Sequence, residues 1–212
     1  MEQGFFKKCM FPALLLLSFY GCSKNSISEA IRAVEKMSLV KEYKNSSSFM
    51  GEGYCYYVFQ GVLDPVQIPP KIFSKFIKGG TLSLKHLESY NEWLKGEKGQ
   101  LCQSVVGDKF NPISPEGDKQ YVIFMNLEAI ENEGKDPKVT LNHEKLHVAF
   151  SFFNERRERI KEAWNALTEE QKEKFKESHP GYNFLNDDVV LREFFAYKFQ
   201  DSLKEGMKFL VE

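Results

Sequence analysis

The sequence is poor in the features that usually decide a protein's class. Tryptophan occurs twice, and histidine and cysteine four times each, in 212 residues. Basic and acidic residues nearly cancel, 29 against 30, and no Lys/Arg run alternates with stacking aromatics, which argues against a nucleic-acid partner. No apolar run approaches the roughly 20 residues that a membrane-spanning helix requires. Internal repeats and low-complexity tracts are missing, and nothing marks a second folded domain. What remains is the composition of one ordinary domain, 42% hydrophobic and 28% charged, with 19 phenylalanines to fill a core.

The first residues stand apart from that domain. Lys7 and Lys8 precede an apolar stretch from Met10 to about Tyr20, and Gly21-Cys22 follows. A basic start and a short apolar run read as a signal peptide over residues 1–21, with residues 22–212 as the mature domain. The ending FYGC resembles the lipobox of bacterial lipoproteins. That resemblance implies acylation of Cys22 and a lipid anchor in the membrane of the cell envelope. Ordinary secretion, with Cys22 left as a linker thiol, is the alternative. Export leaves Cys55 and Cys102 as an even pair in an oxidising compartment, so a Cys55–Cys102 disulfide is expected, with two buried thiols as the alternative.

Ser26 and Glu29 form a capping-box pattern, and Ile27, Ile31 and Val34 recur at helical spacing, so a helix is expected to about Tyr43. Asn45 to Ser48 read as a linker, and the β-branched and aromatic stretch GYCYYVFQGV as a strand. Prolines 65, 69 and 70 precede a short KIFSKFI helix that Gly79-Gly80 end. A further helix is expected from about Ser83 to Lys95, with Leu84, Leu87 and Leu94 inward and a turn at Gly96 to Gly99. Val105 to Lys119 is loop-like, Gln120 to Leu127 is the clearest strand, and EAIENEGKD reads as a polar loop.

That loop leads into TLNHEKLHVAF. Asp136-Pro137 is a helix start, with Asp at the N-cap and Pro in the first turn, and the helix should reach about Phe153. His143 and His147 are then one turn apart on one face, about 6 Å along the axis. Both imidazoles can reach a single Zn²⁺ at about 2.0–2.1 Å. Glu144 beside the first histidine is angled toward water at the metal, as a general base. Val139, Leu141, Leu146, Val148 and Ala149 make the flanks apolar, as a helix flooring a cleft requires.

In this stretch, roughly Gln120 to Gln200, the sequence resembles the zincin metallopeptidases. The resemblance implies a compact α+β domain with a small sheet and an HExxH active-site helix. It also implies one Zn²⁺, hydrolysis of protein or peptide substrates, and pairing of extended substrate along Gln120–Leu127. Lys145 departs from the uncharged residue usual at that place. The metzincin glycine and third histidine would fall on Phe150 and Phe153, so that branch is excluded, and no aspzincin-type downstream Asp is visible. The gluzincin pattern places a ligand Glu on a second helix some tens of residues on, and Glu193 stands there among apolar neighbours, in a helix capped near Asn186 or Asp187. The implied ligands are therefore His143, His147 and Glu193. Where gluzincins carry an orienting acid one turn after that Glu, this chain has Tyr197, readable as an orienting or oxyanion group or as a core residue. Asp187 and Asp188 are either supports of the site or helix caps, Tyr182 and His179 either transition-state donors or surface residues, and His86 is expected exposed. Thr168 and Gln171 should cap a charged, solvated helix between the two metal helices. The competing function is a zinc-binding lipoprotein without turnover, serving as a binding module.

Overall fold

The structure is a computed structural model describing residues 25–59, 73, 75, 77–113, 117–179, 182 and 184–212. The signal segment, Cys22 and the proline-broken stretch lie outside these residues, as does most of the KIFSKFI helix. In chain order the described elements are α1 (Asn25–Met37), β1 (Ser38–Tyr43), α2 (Ser46–Phe59), β2 (Gly79–Ser83), α3 (Leu87–Lys95), α4 (Glu97–Val106), β3 (Tyr121–Asn126), α5 (Leu127–Asn132), α6 (Pro137–Phe152), α7 (Arg157–Asn165), α8 (Glu169–Glu177), α9 (Asp187–Phe199) and α10 (Leu203–Val211).

Strand β3 organises them. All six of its residues are buried, because it is the middle strand of a three-stranded mixed sheet in the order β1-β3-β2. It runs parallel to β1 and antiparallel to β2. Side chains alternate along a strand, so Tyr121, Ile123 and Met125 enter one core and Val122 and Phe124 another. The first core belongs to α1, α6, α7, α9 and α10, and the second to α2, α3 and α4. The result is a predominantly helical, compact α+β domain.

Three expectations change here. The helix from Ser26 stops at Met37 and Ser38–Tyr43 becomes β1, since β3 is buried on both edges and needs a second partner for its backbone groups. GYCYYVF belongs to a helix, not a strand. Phe49 and Gly51 to Tyr56 are all buried, so α2 shows no apolar stripe, and its aromatics suggested β structure that packing overrides. Its start was readable: the Asn45 side chain accepts from Ser48 N at 2.9 Å, as an N-cap does. Gly79-Gly80 are the first two residues of β2. At Gly80 the Tyr57 hydroxyl occupies the place a Cβ would need.

Smaller adjustments follow the same logic. The helix expected from Ser83 begins as one 3-10 turn, Leu84–His86, before α3, and His86 is exposed as expected. Glu97 to Gly99 start α4 where a turn was expected, and Leu127 starts the short α5 where a polar loop was expected. Cys55 on α2 and Cys102 on α4 are joined in a disulfide, with Cα atoms 5.8 Å apart, which settles the choice left open by the sequence. Because β1 and β2 flank β3, no extended substrate can pair along Gln120–Leu127. Among the described residues, the edge near the motif helix without a strand partner is that of β2.

Candidate metal centre

Helix α6 begins as the sequence indicates. The Asp136 carboxylate accepts from Lys138 N at 2.8 Å, and Pro137 takes the first helical position, where its missing N–H costs nothing. Residues 142–144 and 146–150 are then buried, because α6 is packed between the sheet and α1, α9 and α10. Lys145 is the one side chain of that run that leaves, and its ammonium pairs with Glu35 on α1 at 2.8 Å. The departure from the family pattern at this position therefore places no charge beside the histidines.

One turn of helix brings the His143 and His147 rings to 4.6 Å between centroids. Ligand atoms of His143, Glu144 and His147 all lie within 4.8 Å of one another, a cluster able to hold a metal ion. Helix α9, capped by Asn186 through its bond from Asp188 N, delivers Glu193 opposite them. Glu193 Oε2 stands 3.5 Å from Nε2 of His143 and 3.5 Å from Nε2 of His147. Two ligands at about 2.0–2.1 Å from a tetrahedral Zn²⁺ are about 3.3–3.4 Å apart. The two carboxylates differ in their surroundings. Glu144 Oε2 accepts from the Thr81 hydroxyl at 2.8 Å. Glu193 is 1% exposed, and its Oε2 has no hydrogen-bond partner among the described residues, while Oε1 faces Arg192 Nη2 at 3.5 Å.

The electrostatics follow from that burial. Burial raises the Glu144 carboxyl to about 7, against the opposing pull of His143 and of the Thr81 hydroxyl. Burial also works against the Glu193 charge, but His147, His143 and Arg192 outweigh it and hold this acid at about 2. His147 is pushed down to about 3 by burial. Burial lowers His143 too, yet Glu193 and Glu144 prevail and leave it raised. The buried Glu193 charge is thus met in part by Arg192 and His143, and a cation between the two imidazoles would meet the same charge.

The cluster opens into a cleft of about 330 Å³ whose wall includes Gly79, Thr140, His143, Glu144, Tyr182 and Tyr197. The Tyr182 and Tyr197 hydroxyls are 3.3 Å apart, and the Tyr197 ring packs edge-on against His143 at 4.5 Å. Burial raises both phenols, so both keep their protons at neutral pH. His179 packs its ring, tilted, against Tyr197 at 3.9 Å between centroids and hydrogen-bonds the Phe175 carbonyl. Asp187 and Asp188 stay in the exposed first turn of α9, where Asp188 pairs with Arg157 at 2.8 Å. His147 Nδ1 is buried without a partner among the described residues, so no acid orients that ring. Thr168 and Gln171 form the expected capping box on α8.

Reading the sequence alone missed Thr81, Gly79, Tyr57 and Arg192. Thr81 and Gly79 reach Glu144 only through the pairing of β2 with β3, a contact that no local pattern encodes. Arg192 precedes Glu193 directly, and a basic neighbour to a buried acid was the available signal. No family model, curated protein or solved structure matches this chain.

Proposed function

We propose that the protein is a zinc-dependent peptidase of the zincin kind, with His143, His147 and Glu193 as ligands and Glu144 as general base. One observation carries the reading: a fully buried carboxylate oxygen, without a hydrogen bond among the described residues, is equidistant from two imidazole nitrogens one helical turn apart. Such an oxygen is costly unless a cation meets it. A divalent zinc fits the mixed N/O donor set and, when bound, supplies Lewis acidity toward a peptide carbonyl and toward water at an open position.

The chain's own groups do the rest. Glu144, poised near neutrality, takes a proton from water and delivers it to the leaving amine. The protonated Tyr182 and Tyr197 hydroxyls line the same cleft and donate to the developing oxyanion. Extended substrate adds to the outer edge of β2. Acylation at Cys22 would hold this activity at the membrane of the cell envelope.

Zinc per chain is the first measurement. About one equivalent in the parent and in Glu144→Gln, with hydrolysis of a pool of internally quenched peptides lost by about a hundredfold in the variant, supports the enzyme reading. Zinc without turnover in either protein favours a binding module. No zinc in the parent after its addition at neutral pH overturns the metal site.

A further inference from the structure

Strand β2 meets the cleft with two sets of groups pointing in different directions. Its bonds to β3 run through the even residues: Asn126 N donates to Lys78 O at 2.7 Å and Leu84 N to Gln120 O at 2.8 Å. In an antiparallel ladder the intervening residues turn their N–H and C=O away from the partner. Gly79, Thr81 and Ser83 therefore form the outer edge, where the described residues supply one bond, from the Tyr57 hydroxyl to Gly79 O at 2.9 Å. The side chain of Thr81 points elsewhere, down onto α6. Its Oγ1 donates to Glu144 Oε2 at 2.8 Å, with the Glu144 main-chain carbonyl at 3.0 Å as a competing acceptor for the same proton. Glu144 Oε1 lies over Gly79, where a Cβ would stand 3.0 Å from it.

We infer that Thr81 is a positioning residue that ties the substrate-receiving edge to the general base, an inference that rests on the peptidase reading above. Its backbone is placed to pair with an extended peptide, while its hydroxyl fixes Oε2 of Glu144. That leaves Oε1, over a residue without a side chain, as the oxygen that handles the proton. Peptide docking on β2 and alignment of the base are then one event. Because the hydroxyl has a second acceptor in the Glu144 carbonyl, it can release the carboxylate and keep a hydrogen bond.

The test uses the full chain loaded with zinc and acetohydroxamate as the probe. This small molecule chelates zinc through two oxygens and donates its hydroxyl proton to a neighbouring carboxylate. Zinc content and acetohydroxamate affinity are measured for the parent, Thr81→Val, Thr81→Ser and Glu144→Gln. Thr81→Val should keep one zinc and bind the probe about tenfold more weakly, approaching Glu144→Gln, while Thr81→Ser stays within about twofold of the parent. Thr81→Val with full zinc and parental affinity overturns the positioning role, as does a serine variant as weak as the valine. A parent that takes no zinc, or a Glu144→Gln protein that binds the probe as the parent does, instead overturns the site reading beneath it.

Discussion

The two faces of the sheet are built from different materials. On one side, α6, α9 and α10 pack aliphatic and phenylalanine side chains around four buried titratable residues, His143, Glu144, His147 and Glu193. On the other, a cluster that includes Phe49, Tyr54, Tyr56, Phe73 and Tyr90 closes around the Cys55–Cys102 disulfide. Among the described residues the one buried charge there is Glu52, whose carboxylate meets Lys41 at 3.1 Å, Tyr43 at 2.7 Å and Asn111 at 2.7 Å. A buried acid with three partners is structural. One with an oxygen left over among the described residues, aimed at two imidazoles, is built to receive something. On the proposed function, the comparison separates a face that stabilises from a face that binds metal and reacts.

The sharpest way to break that comparison is Glu193→Ala. Zinc should fall from about one per chain to below about a tenth, while disulfide content stays unchanged, as read by metal analysis and thiol labelling. If zinc survives, the two faces do not differ as described. Removing the bridge with Cys55→Ser and Cys102→Ser should act in the opposite way. The cross-link spans 47 residues of sequence, so by chain entropy its loss costs about 4 kcal/mol. That is a fall of about 10 °C in melting temperature for a domain of this size, with zinc stoichiometry retained. Glu52→Ala strands Lys41, Tyr43 and Asn111 and should cost about 2–3 kcal/mol in denaturant unfolding, again without loss of zinc. The smallest effect belongs to Lys145→Ala. Its pair with Glu35 is half-exposed at the glutamate, and its removal should cost about 0.5 kcal/mol or less. A large drop in zinc in this variant would show that Lys145 matters to the site after all.

The two faces also differed in how much of them could be read beforehand. Helix α6, its Asp136-Pro137 start, Asn186 as cap of α9 and the Thr168–Gln171 box are local signals, and each appears where the residues place it. The approach of Glu193 to both histidines was expected from resemblance, and it follows from the packing of α9 on α6. The opposite face was largely misread. Helix α2 is buried on all sides, so its sequence carries no helical period, and its tyrosines mimic a strand. The residues of β1 read as the end of a helix because their preference is decided by β3, which lies far along the chain. The supports of Glu144, Thr81 and Gly79, were invisible for the same reason.

That distance sets a timetable for folding. The Lys119 ammonium reaches the Lys36 carbonyl across 83 residues of sequence, and the parallel pairing of Ser38 with Tyr121 closes a loop of similar size. Thr81 finds Glu144 across 63 residues. The two histidines share a single turn of α6, but Glu193 reaches them across a loop of much the same size as the one between Thr81 and Glu144. Loops of the larger kind close late and slowly. On the proposed chemistry, both the ligand set and the support of its base depend on such long-range contacts, so a competent site requires the sheet and the α6–α9 pair to have closed.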